Sequence, residues 1–216
     1  MSNIIENILK EAPKFHGVTP TTWNSNVNLL QYIDKHCLKP DLKTLEIGSG
    51  YSTIVFLANQ CFHTTVTVFE NEVIRLKEYC NNNNISTEKH NIIIGDSTEK
   101  IPALNSKYDV IFIDGAHRFP YPIVDWYYCT NLLNNKGLII IDDIDITSCN
   151  ILVTFMSSDP HWKEIIIKEN YAIFEKMSDP FYPEDWKSQP FSLQNDYKFI
   201  KQCKTNLFKF IFKNKI

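Results

Sequence analysis

Six cysteines are present (Cys37, Cys61, Cys80, Cys129, Cys149 and Cys203), but no two form a Cys-x-x-Cys pair and no spacing among them suits a metal-ligand set. Most fall in apolar segments, where cysteine behaves as a small buried hydrophobe, so reduced thiols are expected. The opening MSNIIENILK lacks the basic start and long apolar run of a signal peptide. No apolar stretch is long enough to span a bilayer, and a soluble, cytoplasmic protein is expected. Internal repeats are absent, and the low-complexity piece Asn81–Asn84 reads as a polar loop after a helix. A formal charge of −3 gives no sign of a nucleic-acid binder. That charge is uneven: residues 1–180 carry 15 basic and 22 acidic side chains, residues 181–216 carry 7 and 3.

A chain of 216 residues is long enough for one sizeable core and too short for two ordinary enzyme domains. Residues 1–40 read as an N-terminal helical segment, 41–178 as the core, and 179–216 as an aromatic loop followed by a basic amphipathic helix. In the first segment, Asn3–Lys10 and Trp23–Cys37 have helical spacing. The loop between them, with His16, Gly17 and Trp23, either covers a ligand or follows a helix packed on the sheet; packing is expected. From Lys43 onward, apolar runs alternate with helical segments in the manner of βαβ units. The strands read as Lys43–Ile47, Thr64–Phe69, Asn91–Ile94, Tyr108–Ile113 and Gly137–Ile141. Only Glu169 and Asn170 separate Lys163–Lys168 from Tyr171–Lys176, which suits an antiparallel hairpin and excludes a crossover helix. The expected fold is a doubly wound, mostly parallel α/β sheet finished by that hairpin. Ligands of such sheets bind outside the carboxyl ends of the strands, so Glu46, Glu70, Asp96, Asp114 and Asp142 are expected along one rim.

The stretch Thr44–Thr53, TLEIGSGYST, runs from a strand through a Gly-Ser-Gly turn into a helix. A turn that binds pyrophosphate favours three glycines and no nearby carboxylate. Here Thr53 stands at the third glycine position and Glu46 precedes the loop, a combination that favours a cationic ligand. The pattern E-x-G-x-G resembles the first motif of the class I S-adenosylmethionine-dependent methyltransferases, whose Rossmann-like fold ends in the same hairpin. The resemblance implies S-adenosylmethionine as cofactor, with contacts at Glu46, Gly48, Ser49, Gly50, Ser52, Thr53, Glu70, Asn71, Asp96, Ser97 and Asp114. Glu70 would hold the ribose and Asp96 with Ser97 the adenine.

Residues 108–147 contain FIDGAH and, further on, IDD, and resemble the IDGxHxY-type subgroup of that class. More distantly they resemble metal-dependent catechol and macrolide-sugar O-methyltransferases. That likeness implies a Mg²⁺ site at Asp114, Asp142 and Asp143, the last two converging only if the strand breaks between them. His117 stands where the catechol enzymes carry a lysine base, and His117 and Asp114 are the catalytic candidates. The alternative for His117 is a loop histidine that caps or underlies the helix after it. Arg118 reads as an anion contact or a solvated arginine, and Asp125 as facing either the site or solvent. No NPPY-like motif follows the fourth strand, which lowers the expectation of amino-group methylation. The expected function is O-methylation of a small molecule or sugar. An NAD-linked oxidoreductase and a cofactor-binding protein without turnover are the alternatives. The basic stretch Tyr197–Ile216 suits a domain edge, a dimer contact or the inner face of a membrane.

Overall fold

The computed structural model describes residues 4–15, 26–179 and 181–194. Among the described residues, seven strands form one sheet: β1 (Lys43–Ile47), β2 (Phe62–Thr67), β3 (His90–Ile94), β4 (Tyr108–Ile113), β5 (Leu133–Asp142), β6 (Trp162–Ile167) and β7 (Tyr171–Lys176). Their spatial order is β3-β2-β1-β4-β5-β7-β6. The first five are mutually parallel, and β7 runs antiparallel between β5 and β6. The expected doubly wound sheet with its terminal hairpin is thus observed. β1 has β2 on one side and β4 on the other, the point where strand order reverses and where sheets of this kind leave a crevice.

Continuous apolar runs make this possible because successive strand residues face opposite sides of the sheet. From β4 and β5, Ile111, Ile113, Ile139 and Ile141 enter one core with Leu45 and Ile47. Helices α6 (Tyr121–Leu132) and α7 (Thr147–Ser158) cover that face, contributing Trp126, Cys129, Leu152 and Met156. Val110, Phe112 and Ile140 enter the opposite core. There they meet α3 (Tyr51–Ala58), whose Ile54, Val55 and Phe56 are wholly buried, and α4 (Glu70–Asn82) through Leu76 and Cys80. Helix α1 (Ile4–Glu11) adds Ile4, Ile5 and Ile8 to this second core. Helix α2 (Val27–Tyr32), continued by a π-helical turn at Ile33–Cys37, adds Leu29, Leu30 and Ile33.

Several boundaries differ from the sequence reading. β2 starts at Phe62 and ends at Thr67, and β5 begins at Leu133, directly after α6. The polar stretch Leu133–Lys136 is strand because Leu133 pairs with Tyr108 across an irregularity in the ladder. Lys136 takes a positive φ of 64° where the regular pairing resumes. Residues 16–25 and 195–216, which include the loop with His16, Gly17 and Trp23 and the basic tail, lie outside the described residues. Among the described residues no helix is long and apolar enough to cross a membrane.

Candidate active site

A cavity of about 1040 Å³ opens at the carboxyl ends of β1, β2, β3 and β4, in the crevice at the strand-order reversal. It stands at the upper end of the ~300–1,000 Å³ common for ligand sites. Two tight approaches shape its floor. Gly48 has φ +106°, and a Cβ there would lie 2.3 Å from the Asp114 carbonyl oxygen. A Cβ on Gly115 would lie 2.8 Å from Ile47 Cγ2. The turn after β1 and the loop after β4 can therefore close on each other only as glycines, and this brings Ser49 and Asp114 to one place.

Charge on the cavity wall is mostly negative. Glu72, Asp96, Asp114 and Asp143 line it, against Arg118 and His117. Val68, Phe69 and Ile146 add apolar surface. At one end Asp96 caps helix α5 (Ser97–Lys100), with Oδ1 accepting from the Thr98 amide at 2.9 Å and the Thr98 hydroxyl at 2.6 Å. Asp96 Oδ2 accepts from the Tyr121 hydroxyl at 3.1 Å, which in turn accepts from Arg118 Nη2 at 3.1 Å. The Thr98 hydroxyl foremost, then its amide and Tyr121, hold the Asp96 carboxyl below the usual carboxylate range.

At the other end His117 stands between two carboxylates. Its Nδ1 is 3.2 Å from Asp143 Oδ2 and its Nε2 is 3.6 Å from Asp114 Oδ1. The Nδ1 contact is close but misaligned for a full hydrogen bond. The Ser148 hydroxyl donates to the His117 carbonyl oxygen and so ties this loop to the start of α7. Burial pushes the Asp143 carboxyl above its ordinary range, with His117 opposing and Asp145 reinforcing. Asp143 has φ +51°. The strand therefore breaks directly after Asp142, and Asp143 turns toward His117.

Among the residues expected to contact the cofactor, Gly48, Ser49, Asp96, Ser97 and Asp114 line the cavity; Glu46, Gly50, Ser52, Thr53, Glu70 and Asn71 do not. Glu46, expected at the ligand, is wholly buried under the turn. Strand alternation sends Ile47 to the cavity and Glu46 to the α3 side. Its Oε2 accepts from Thr53 Oγ1 at 2.6 Å and lies 3.2 Å from His63 Nε2, and its Oε1 accepts from the Ser52 hydroxyl. Thr53 Oγ1 also accepts the Gly50 amide at 3.0 Å. The carboxylate is thus spent on fixing the turn.

Glu70 is the exposed first residue of α4, whereas Glu72, on the first turn, lies on the wall and accepts from Ser49 Oγ at 3.0 Å. A glutamate three residues past a helix cap commonly reaches back toward the preceding turn, and that position was the available signal. Asp142, expected as a cation ligand, is 2 % exposed and its Oδ1 accepts the Asp143 amide at 3.0 Å. Among the described residues, the donor group that converges is Asp114, His117 and Asp143, with ligand atoms within 4.8 Å of one another. Tyr121 carried no signal in the sequence beyond its place at a helix start.

A parallel sheet with the antiparallel β7 beside β5 is the fold of the class I S-adenosylmethionine-dependent methyltransferases, and the acidic crevice lies at its reversal of strand order. Residues 45–144 match the family model described as a methyltransferase domain, which supports an S-adenosylmethionine-dependent methyltransferase. Solved structures share the fold. Cofactor-bound Rv0187 from MTB is 15% identical with a TM-score of 0.65, covering 83% of this chain and 92% of that one. TomG from Streptomyces achromogenes is 11% identical with a TM-score of 0.65, covering 82% and 91%. Podospora anserina PaMTH1 is 13% identical with a TM-score of 0.63, covering 82% and 89%. No curated protein sequence matches the chain significantly.

Proposed function

We propose that this enzyme transfers the methyl group of S-adenosylmethionine to a hydroxyl of a small acceptor, a phenol or a saccharide, with His117 as the base. The observation that carries the reading is an imidazole flanked by Asp114 and Asp143 on the wall of an acidic cavity. Asp143 would orient the ring through Nδ1, leaving Nε2 to take the proton of the acceptor hydroxyl as its oxygen bonds to the methyl carbon and the carbon–sulfur bond breaks. Glu72, Asp96 and Asp114 would meet the polar groups and positive charge of the donor. A wall with this excess of carboxylates suits a sulfonium and disfavours a pyrophosphate. In support, TomG is described as an O-methyltransferase solved with S-adenosylmethionine, and PaMTH1 as solved with S-adenosylhomocysteine.

The three-donor group favours a second reading, in which a divalent cation assists. Its ligand atoms lie within 4.8 Å of one another, so one cation would draw them together with a small closure of the side chains. Asp114, His117 and Asp143 would then hold the cation, which when bound would supply Lewis acidity to the acceptor oxygen. His117 would act as ligand rather than base.

The test is release of S-adenosylhomocysteine across a panel of catechols, sugars and amines, before and after chelation and with Mg²⁺ or Mn²⁺ restored. Methylation at oxygen is the expected outcome. Methyl appearing only on nitrogen acceptors would overturn the reading. Activity that survives chelation assigns His117 as base, and activity restored only by cation assigns the metal reading.

A further inference from the structure

Helix α6 meets the Asp96–Ser97 corner of the cavity with two polar side chains one turn apart. Tyr121 donates to Asp96. Asp125, four residues on and therefore on the same helix face, is 1 % exposed, and neither carboxylate oxygen has a full hydrogen bond. Three groups act on it or feel it. The Ser97 hydroxyl favours its ionised form, the like charge of Asp96 opposes it, and the Cys129 thiol one turn further along α6 is held protonated partly by its charge. Burial outweighs the help from Ser97 and pushes the carboxyl up to about 6. A carboxylate so placed weakens the fold rather than supporting it, and the polar group it reaches toward the cavity is Ser97.

We propose that Asp125 is a positioning residue for the nucleoside end of the methyl donor: when that end is bound, the Ser97 hydroxyl closes on the unmet Asp125 carboxylate, which fixes the corner against which the end rests. Tyr121 and Asp125 then hold the adjacent residues Asp96 and Ser97 from one helix face, although Asp125 itself does not line the cavity. The inference rests on the assignment of this cavity to the methyl donor.

Calorimetric titration with S-adenosylhomocysteine tests it, using wild type, Asp125→Ala, Asp125→Asn, Ser97→Ala and the Asp125→Ala/Ser97→Ala double variant. Asp125→Ala is expected to weaken binding about 10-fold, the loss of a hydrogen bond to a charged group. Asp125→Asn, whose amide oxygen still accepts from Ser97, should stay within about 3-fold. The double variant should bind no more weakly than the weaker single one, a coupling that a merely structural role would not produce. Wild-type affinity in Asp125→Ala, or fully additive losses in the double variant, would overturn the proposal. Should Asp125→Ala not fold, Asp125→Asn/Ser97→Ala against Ser97→Ala decides, a further loss beyond Ser97→Ala overturning it. A wild type that does not bind at all would overturn the donor assignment itself.

Discussion

Replacing Asp125 by Asn should stabilise the protein at neutral pH and leave it nearly unchanged in acid. Burial raises the folded-state pKa of this carboxyl from the ordinary 3.8 to about 6. Between those values the folded state keeps a proton that the unfolded chain has released, so stability falls as pH rises from about 4 to about 6 and then levels off. At ~1.36 kcal/mol per pH unit the full loss is about 3 kcal/mol. Asparagine has no charge to desolvate and the same shape, so the variant is free of that loss. The difference in unfolding free energy between variant and wild type, from urea melts across pH 4 to 8, should climb by about 3 kcal/mol toward neutrality. Other carboxylates titrate in both proteins and cancel. A difference that is flat with pH, or that grows toward acid, would refute the account of Asp125 as a buried, poorly paired carboxylate.

His117→Asn should lower kcat by about 10²–10⁴-fold if the imidazole is the base, while calorimetry shows S-adenosylhomocysteine bound as in wild type. Thr53→Val removes a donor to Glu46 and the acceptor of the Gly50 amide. It should cost about 2–4 kcal/mol in a urea melt, because buried partners are left unmet. Gly48→Ala combines a positive φ with a 2.3 Å clash against the Asp114 carbonyl. A fall of at least about 1–3 kcal/mol in stability is expected, with loss of donor binding by calorimetry, and an unshifted melt would contradict the geometry.

The sheet was legible because β4 and β5 carry runs of branched apolar residues between helical segments, and the two-residue gap before Tyr171 admits only a hairpin. Its edges were less so: Asn134, Asn135 and Lys136 look like a loop, and only the pairing of Leu133 with Tyr108 makes them strand. The acidic rim was half legible. Asp96 and Asp114 end up on the cavity, and Asp143 joins them through a backbone conformation that no propensity announces. Glu46 lies beneath the turn, off the cavity wall, because two-residue alternation lets only one of it and Ile47 face the crevice. For Asp125 the helix pattern left site and solvent both open. Its burial follows from the packing of α6 against α5 and the sheet, which neighbouring residues do not encode.

Because Glu46 is wholly buried and anchors Ser52, Thr53 and His63, replacing it would abolish turnover by loosening the scaffold. A scan that reads turnover alone would group Glu46 with His117 and credit the motif's acid with chemistry. Paired with a melting curve, the same scan separates them: the His117 variant should melt like the wild type, the Glu46 variant well below it.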